Sequence, residues 1–215
     1  SEGIEPAKKW LSEVRCLSDE IISLCEKEKI LGYNPLFFNT ETEQKLPAIS
    51  FLIRDWYKQP KINWLRWLDF SDSRFLKDDE TKIKYFFYVS KEELKKSKEI
   101  WVCESVIDCL SLHQVFLNDP PVKKRAAISV MATGHAQNMD LSKLYGKTFI
   151  IALDNDKAGI EASLKLHNRL TRNRQLAYIF DLPKFQNKDD EPGKDFNELL
   201  QVQGEQGIRE ALQLE

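Results

Sequence analysis

A chain of 215 residues with 42% hydrophobic and 31% charged side chains is long enough for a sizeable core, built as one large domain or two small ones packed together, and its composition is that of a soluble globular protein. A formal net charge of −2 offers no basic surface overall, yet acidic site residues and acidic outer faces can cancel a basic groove in the sum, so nucleic acid stays open as a partner. No apolar run reaches bilayer length, the polar start from Ser1 to Trp10 is unlike a signal peptide, and Cys16, Cys25, Cys103 and Cys109 form no C-x-x-C pair, which together point to the reducing cytoplasm, with no membrane partner.

The absence of an initiator methionine suggests a processed or excised chain. From Ser18 to Lys29, apolar Ile21, Ile22, Leu24 and Cys25 recur at helical spacing, with Ser18 as N-cap and Gly32 closing the segment. Three stretches rich in β-branched and aromatic residues follow, Ala48 to Ile53, Trp64 to Leu68 and Ile83 to Val89, and these are expected to pair as antiparallel strands. Trp56, Trp64 and Trp67 lie in this region, where core packing and base stacking are both open roles.

After Lys91 strand and helix alternate, the pattern of parallel α/β architecture. Strands are expected at Ile100 to Cys103, Ala126 to Met131, Phe149 to Leu153 and Ala177 to Asp181. Helices are expected from Val106 to Phe116, along the face shared by Ala162, Leu166 and Leu170, and from Asp195 onward. Pro183 to Gly193 is polar and carries two prolines, so it reads as a surface loop. His135 follows Gly134 after a strand and is either a phosphate contact or a turn histidine without a ligand.

Two acidic clusters fall at expected C-terminal strand ends, where open parallel sheets build their ligand sites. In Asp154-Asn155-Asp156 the carboxylates are two residues apart, so on extended backbone both project to one side and can share a hard cation such as Mg²⁺, with Mn²⁺ as a substitute. Glu104 follows the first α/β strand and Asp108 lies one helical turn later on the same face. The bland alternative is that each acid caps a helix.

The order Glu104-Ser105-Val106-Ile107-Asp108, then Asp154-Asn155-Asp156-Lys157-Ala158-Gly159, then Gly193-Lys194-Asp195-Phe196-Asn197-Glu198-Leu199 resembles the Toprim domain of bacterial-type (DnaG-like) primases, shared more distantly with topoisomerases and some nucleases. The resemblance implies a parallel sheet flanked by helices, roughly from Lys98 to Leu200. It implies Glu104 as general base or metal ligand, Asp154 and Asp156 as the magnesium site, and Asp108, Asp195 and Asn197 as further metal ligands. Ser105 stands where the family usually has Gly, and Asn197 where primases more often have Asp. The strand Ile49 to Asp55 looks like the one preceding this domain in plasmid and phage primases.

The expected architecture is therefore a smaller α+β subdomain over residues 1–96 followed by a Toprim α/β domain over 97–215. The expected activity is synthesis of short RNA primers on single-stranded DNA from nucleoside triphosphates, with a replicative helicase as a candidate partner. Arg54, Arg66, Arg74, Lys82, Lys84 and Lys157 are the candidate nucleic-acid or nucleotide contacts, with solvated surface charge as the alternative. A Toprim nuclease and a noncatalytic nucleic-acid-binding or replisome module are the rival functions.

Overall fold

The structure, a computed structural model, describes residues 3–39, 44–68, 74–76, 84–120 and 124–214. The chain opens on two short helices, α1 (Glu5–Glu13), with a proline in its first turn, and α2 (Asp19–Lys27). The Ser18 hydroxyl accepts from the Ile21 amide to cap α2, and Asp19, Glu20 and Lys27 place charge of the favourable sign at its ends.

Four strands then form an antiparallel sheet in the order β1 (Leu31–Asn39), β2 (Gln44–Arg54), β3 (Pro60–Trp67) and β4 (Arg74–Leu76). Period-two alternation turns Ile49, Phe51 and Ile53 of β2 and Ile62 and Trp64 of β3 into the core, against Leu11, Ile21 and Cys25 of the two helices. The register between β1 and β2 shifts between Asn34 and Phe37, at Pro35, a residue that an edge strand tolerates.

The third expected antiparallel strand falls elsewhere. Its described part, β5 (Phe87–Tyr88), leaves the first sheet and pairs antiparallel with β7 at the edge of a second. A strand ahead of residue 97 thus belongs to the α/β half. The second sheet runs β5-β7-β6-β8-β9, with β6 (Glu99–Cys103), β7 (Arg125–Ser129), β8 (Thr148–Ala152) and β9 (Ala177–Ile179) mutually parallel.

Successive β6 residues face opposite sides. Ile100 and Val102 join Ile128, Phe149 and Ile151 in one apolar layer, closed by Ala162, Leu166 and Leu170 of α5 (Lys157–Arg172). Trp101 and Cys103 face the other layer, which holds α4 (Val106–Phe116), α6 (Phe196–Ala211) and the apolar side of the first sheet with α1 and α2. The short helix α3 (Lys91–Lys96) precedes β6. Every residue of α4 is buried, so this helix forms the seam between the two halves of the chain. No helix among the described residues is long and apolar enough to cross a membrane.

Candidate metal centre

β6 and β8 are neighbours in register, Cys103 opposite Ala152, so the residues that follow them emerge side by side at the C-terminal rim of the sheet. After Glu104 the backbone of Ser105 stays extended and caps α4. Its hydroxyl accepts from the Asp108 amide (3.1 Å) and donates to Asp108 Oδ2 (2.5 Å). The second oxygen, Asp108 Oδ1, accepts from the Asn197 amide (3.0 Å). Asp108 is therefore held from both sides by Ser105 and Asn197, groups 92 positions apart in the chain.

Past β8, Leu153 and Asp154 are still buried, and α5 begins so close that a Cβ on Gly159 would lie 2.0 Å from the Asp154 carbonyl oxygen. The Asn155 amide donates to the Lys194 carbonyl (2.9 Å), which draws the segment before α6 onto the same rim. There Asp195 caps α6, accepting from the Glu198 amide (2.7 Å). One oxygen each of Asp108, Asp154 and Asp195 lies within 4.8 Å of the other two, with Asp108 and Asp154 buried and Asp195 half-buried.

Three ionised carboxylates at this spacing repel strongly. At an effective dielectric of about 20, each pair costs at least about 3 kcal/mol, and the three together approach the whole stability of a domain. The N-termini of α4 and α6 offset part of this, each within the range of a helix-dipole interaction. A divalent cation offsets the rest, and an all-oxygen donor set suits a hard ion. Beneath the site the Cys103 thiol donates to the Ile128 carbonyl (3.1 Å), and burial first, then a hydrogen bond with Cys109 and the nearby negative charges, push it well above the ordinary thiol range.

Beside Asp108 and Asp195 opens a polar cleft of about 220 Å³, whose lining combines the cations Arg15, Arg66, Lys188 and Lys194 with the further acids Asp189 and Glu198. The Trp10 ring carries both guanidinium groups, Arg15 at 4.7 Å and Arg66 at 5.7 Å from its centroid. Guanidinium and ammonium groups thus share the cleft with the acids, a mixed lining that can hold phosphate oxygens beside a cation.

The other expected ligands have different occupations. Asp156 is exposed and caps α5, accepting from the Gly159 amide (2.8 Å), because β8 ends at Ala152 and the chain bends at Asn155 and Asp156, so the two-residue alternation of a continuous strand no longer applies. The Asn197 side chain is spent on structure: Nδ2 donates to the Arg15 carbonyl (2.9 Å) and the Ser111 hydroxyl (3.0 Å), and Oδ1 accepts from Gln201 (3.0 Å). Glu104 is buried at the rim next to the cluster but is not one of the three convergent acids.

Among the candidate basic contacts, Arg66 lines the cleft. Arg54 is buried in a tie between the two halves, donating to the Glu28 carbonyl (3.0 Å) and the Val89 carbonyl (3.1 Å). Lys157 is exposed at the start of α5, and Lys84 lines a different cavity. Lys82 and the side chains of Arg74 and Trp67 lie outside the described residues. His135 sits in a turn of 3₁₀ helix, its basicity lowered by burial. Arg15, Lys188 and Lys194 were not foreseen as cleft residues, and only Lys194, inside the Gly193-to-Leu199 motif, carried a signal of proximity.

Residues 101–200 match the family model described as Toprim-like. The DNA primase of Campylobacter jejuni is 31% identical over 97 residues, covering 45% of this chain and 15% of that protein; the DNA primase of Listeria monocytogenes is 26% identical over 134 residues, 61% of this chain and 19% of that protein. The chain thus spans less than a fifth of the length of these relatives. Among solved structures, the DnaG catalytic core superposes with a TM-score of 0.66 at 18% identity, covering 97% of this chain and 72% of that one. The primase fragment of the bacteriophage T7 primase-helicase gives 0.58 at 15%, covering 93% and 72%. With the sheet order, the acids at its rim and the matched segment in agreement, residues 101–200 form a Toprim domain, set in a chain that has the fold of a primase catalytic core.

Proposed function

We propose that this chain is the catalytic core of a DNA primase, a magnesium-dependent nucleotidyltransferase that joins ribonucleotides on a single-stranded DNA template, with N-terminal and Toprim parts that meet near residue 97 and with β5, ahead of that point, joined to the Toprim sheet. The observation that carries the reading is the meeting of Asp108, Asp154 and Asp195, two of which line a cleft shared with Arg15, Arg66, Lys188 and Lys194. The primase names of the relatives and the likeness in fold support it. One structural neighbour, the DnaG primase catalytic domain, is described as bound to single-stranded DNA, and another consists of T7 primase domains interacting with the lagging-strand DNA polymerase; a template strand and a replisome partner are proposed here by analogy.

Asp108, fixed by hydrogen bonds, and Asp154, fixed by burial, would hold Mg²⁺ together with Asp195. The ion, when bound, would neutralise phosphate charge at the reacting centre. Arg15, Arg66 and Lys194, in the cleft beside Asp108 and Asp195, bind the oxygens of the incoming triphosphate. Glu104, at the end of β6, accepts the proton of the attacking 3′-hydroxyl or completes the ion's ligands. Labelled single-stranded DNA incubated with ribonucleotides and magnesium tests the reading. Template-dependent primers are expected from the wild type and none from Asp154→Asn. Shortened DNA instead of primers, or full synthesis by Asp154→Asn, would overturn it.

A further inference from the structure

A second cavity, of about 280 Å³, lies apart from the acidic cluster, between the turn joining β2 to β3 and the edge strand β5. Its walls are aromatic: Trp56 and Tyr57 from the turn, and Tyr85, Phe86 and Tyr88 from the segment entering and forming β5. Its rim is cationic. Lys84 and Lys143 line it, the Lys91 ammonium lies 5.1 Å from the Trp56 ring and 6.0 Å from the Tyr57 ring, and the Lys61 ammonium lies 5.8 Å from the Tyr85 ring.

The two acids in the lining are engaged by their own turns, although Asp140 stays exposed. Asp55 accepts from the Tyr57 amide (2.8 Å) and the Gln59 amide (3.0 Å) and pairs with Lys61 (3.3 Å), while Asp140 accepts from the Ser142 amide (3.0 Å). The face offered to a ligand is therefore aromatic surface among lysines that outnumber the one exposed carboxylate. Tyr57 is 70% exposed, so the turn presents one ring to solvent among the lining residues. The volume falls just below that of pockets that bury drug-sized molecules, which suits a single planar base better than a larger apolar guest.

Its place in the fold matters as well. β5 is separated from β6 only by β7, two strand spacings or about 10 Å across the sheet. Lys84 to Phe86 enter β5 where Phe87 pairs with Ser129, the last residue of β7, so they stand along the same rim as the acids. A flexible strand leaving the cleft can reach this cavity.

We propose that the cavity stacks one unpaired base of a single-stranded nucleic acid, with the lysines holding the flanking phosphates. Base stacking on aromatic side chains inside a cationic groove is the sequence-tolerant mode of single-strand binding. That the strand is the template rests on the function proposed above; the stacking itself does not.

Binding of a short fluorescent single-stranded DNA, measured by anisotropy in EDTA, separates the two. Tyr57→Ala is expected to weaken binding about five-fold or more, and the double variant Lys84→Glu/Lys143→Glu to weaken it further and flatten its salt dependence. Thermal melts serve as the check on folding, since Tyr57 contributes little to the core. DNA carrying a photoreactive halogenated uracil should form adducts on Trp56 or Tyr57. Wild-type affinity in both variants, or adducts only elsewhere, overturns the proposal, and suppression of adduct formation by nucleoside triphosphate added before irradiation overturns it in favour of a free nucleotide. Loss of binding in Tyr57→Ala in a protein that makes no primers leaves the stacking site standing and removes only the primase reading.

Discussion

Replacing Gly159 with alanine puts a methyl group 2.0 Å from the carbonyl oxygen of Asp154, 2.9 Å from its carbonyl carbon and 3.1 Å from its nitrogen. The first distance is roughly 1.4 Å short of ordinary van der Waals contact, and the obstacle is backbone, which cannot swing aside as a side-chain end would. Either the first turn of α5 lifts away from β8 or Asp154 is pushed along the rim. Overpacking of this kind costs about 1–3 kcal/mol, and a chain of this size loses about 2–4 °C in melting temperature per kcal/mol. The larger effect is expected at the centre, because Asp154 must keep an oxygen within 4.8 Å of both partners. Displacing the support of a metal ligand typically weakens binding about 10- to 100-fold. Calorimetric titration with Mg²⁺ or Mn²⁺, beside a thermal melt, reads both quantities. Gly134→Ala is the control, since nothing lies within 4 Å of its Cβ position. Wild-type metal affinity and an unchanged melt in Gly159→Ala would refute the packing argument.

Three further outcomes follow from the geometry. Ser105→Ala removes both the cap of α4 and the donor to Asp108 Oδ2, so a stability loss of about 1 kcal/mol is expected in denaturant titration together with weaker metal binding, whereas Ser105→Gly should keep most of the stability and still lose affinity. Asn197→Leu removes the donor to the Arg15 carbonyl and to the Ser111 hydroxyl, which keeps its own bond to the Ile107 carbonyl, and should cost about 1–3 kcal/mol, while metal affinity changes far less because the bond to Asp108 comes from the backbone amide; a large loss of affinity at unchanged stability would contradict this. Glu93 is held below the ordinary carboxylate range, first by its hydrogen bond to His113, so the pair stabilises the fold above the unfolded glutamate pKa and the benefit disappears as pH falls through the lowered value. Melting temperature should therefore drop on acidification, and Glu93→Gln should be less stable at neutral pH with a shallower acid slope.

Most of the α/β half was legible because short apolar runs bounded by polar segments leave little choice of strand. β6, β7, β8 and α4 lie within two residues of their expected bounds for that reason. α1 gave less warning, being only nine residues with a proline in its first turn, and β1 is interrupted at Pro35. The segment ending at Val89 was recognised as a strand, but its sheet was not, since alternation records which face is buried and not against which neighbour. At the rim, Asp108, Asp154 and Asp195 were among the candidates, whereas the rank given to Asp156 assumed that the strand continued past Ala152. Arg15 could not have been placed, because the bond from Asn197 that brings its backbone to the site spans 182 positions.

The complete burial of α4 has a consequence for how the protein comes apart. One side of that helix is covered by β7 and α6 and another by α2, so neither half can be excised without laying bare a greasy surface on what remains. A Toprim fragment cut at residue 97 should precipitate or melt into a loose state, and a single cooperative denaturation is expected of the intact chain. Shuffling the front half between homologues would succeed only if the donor brought a matching partner for α4.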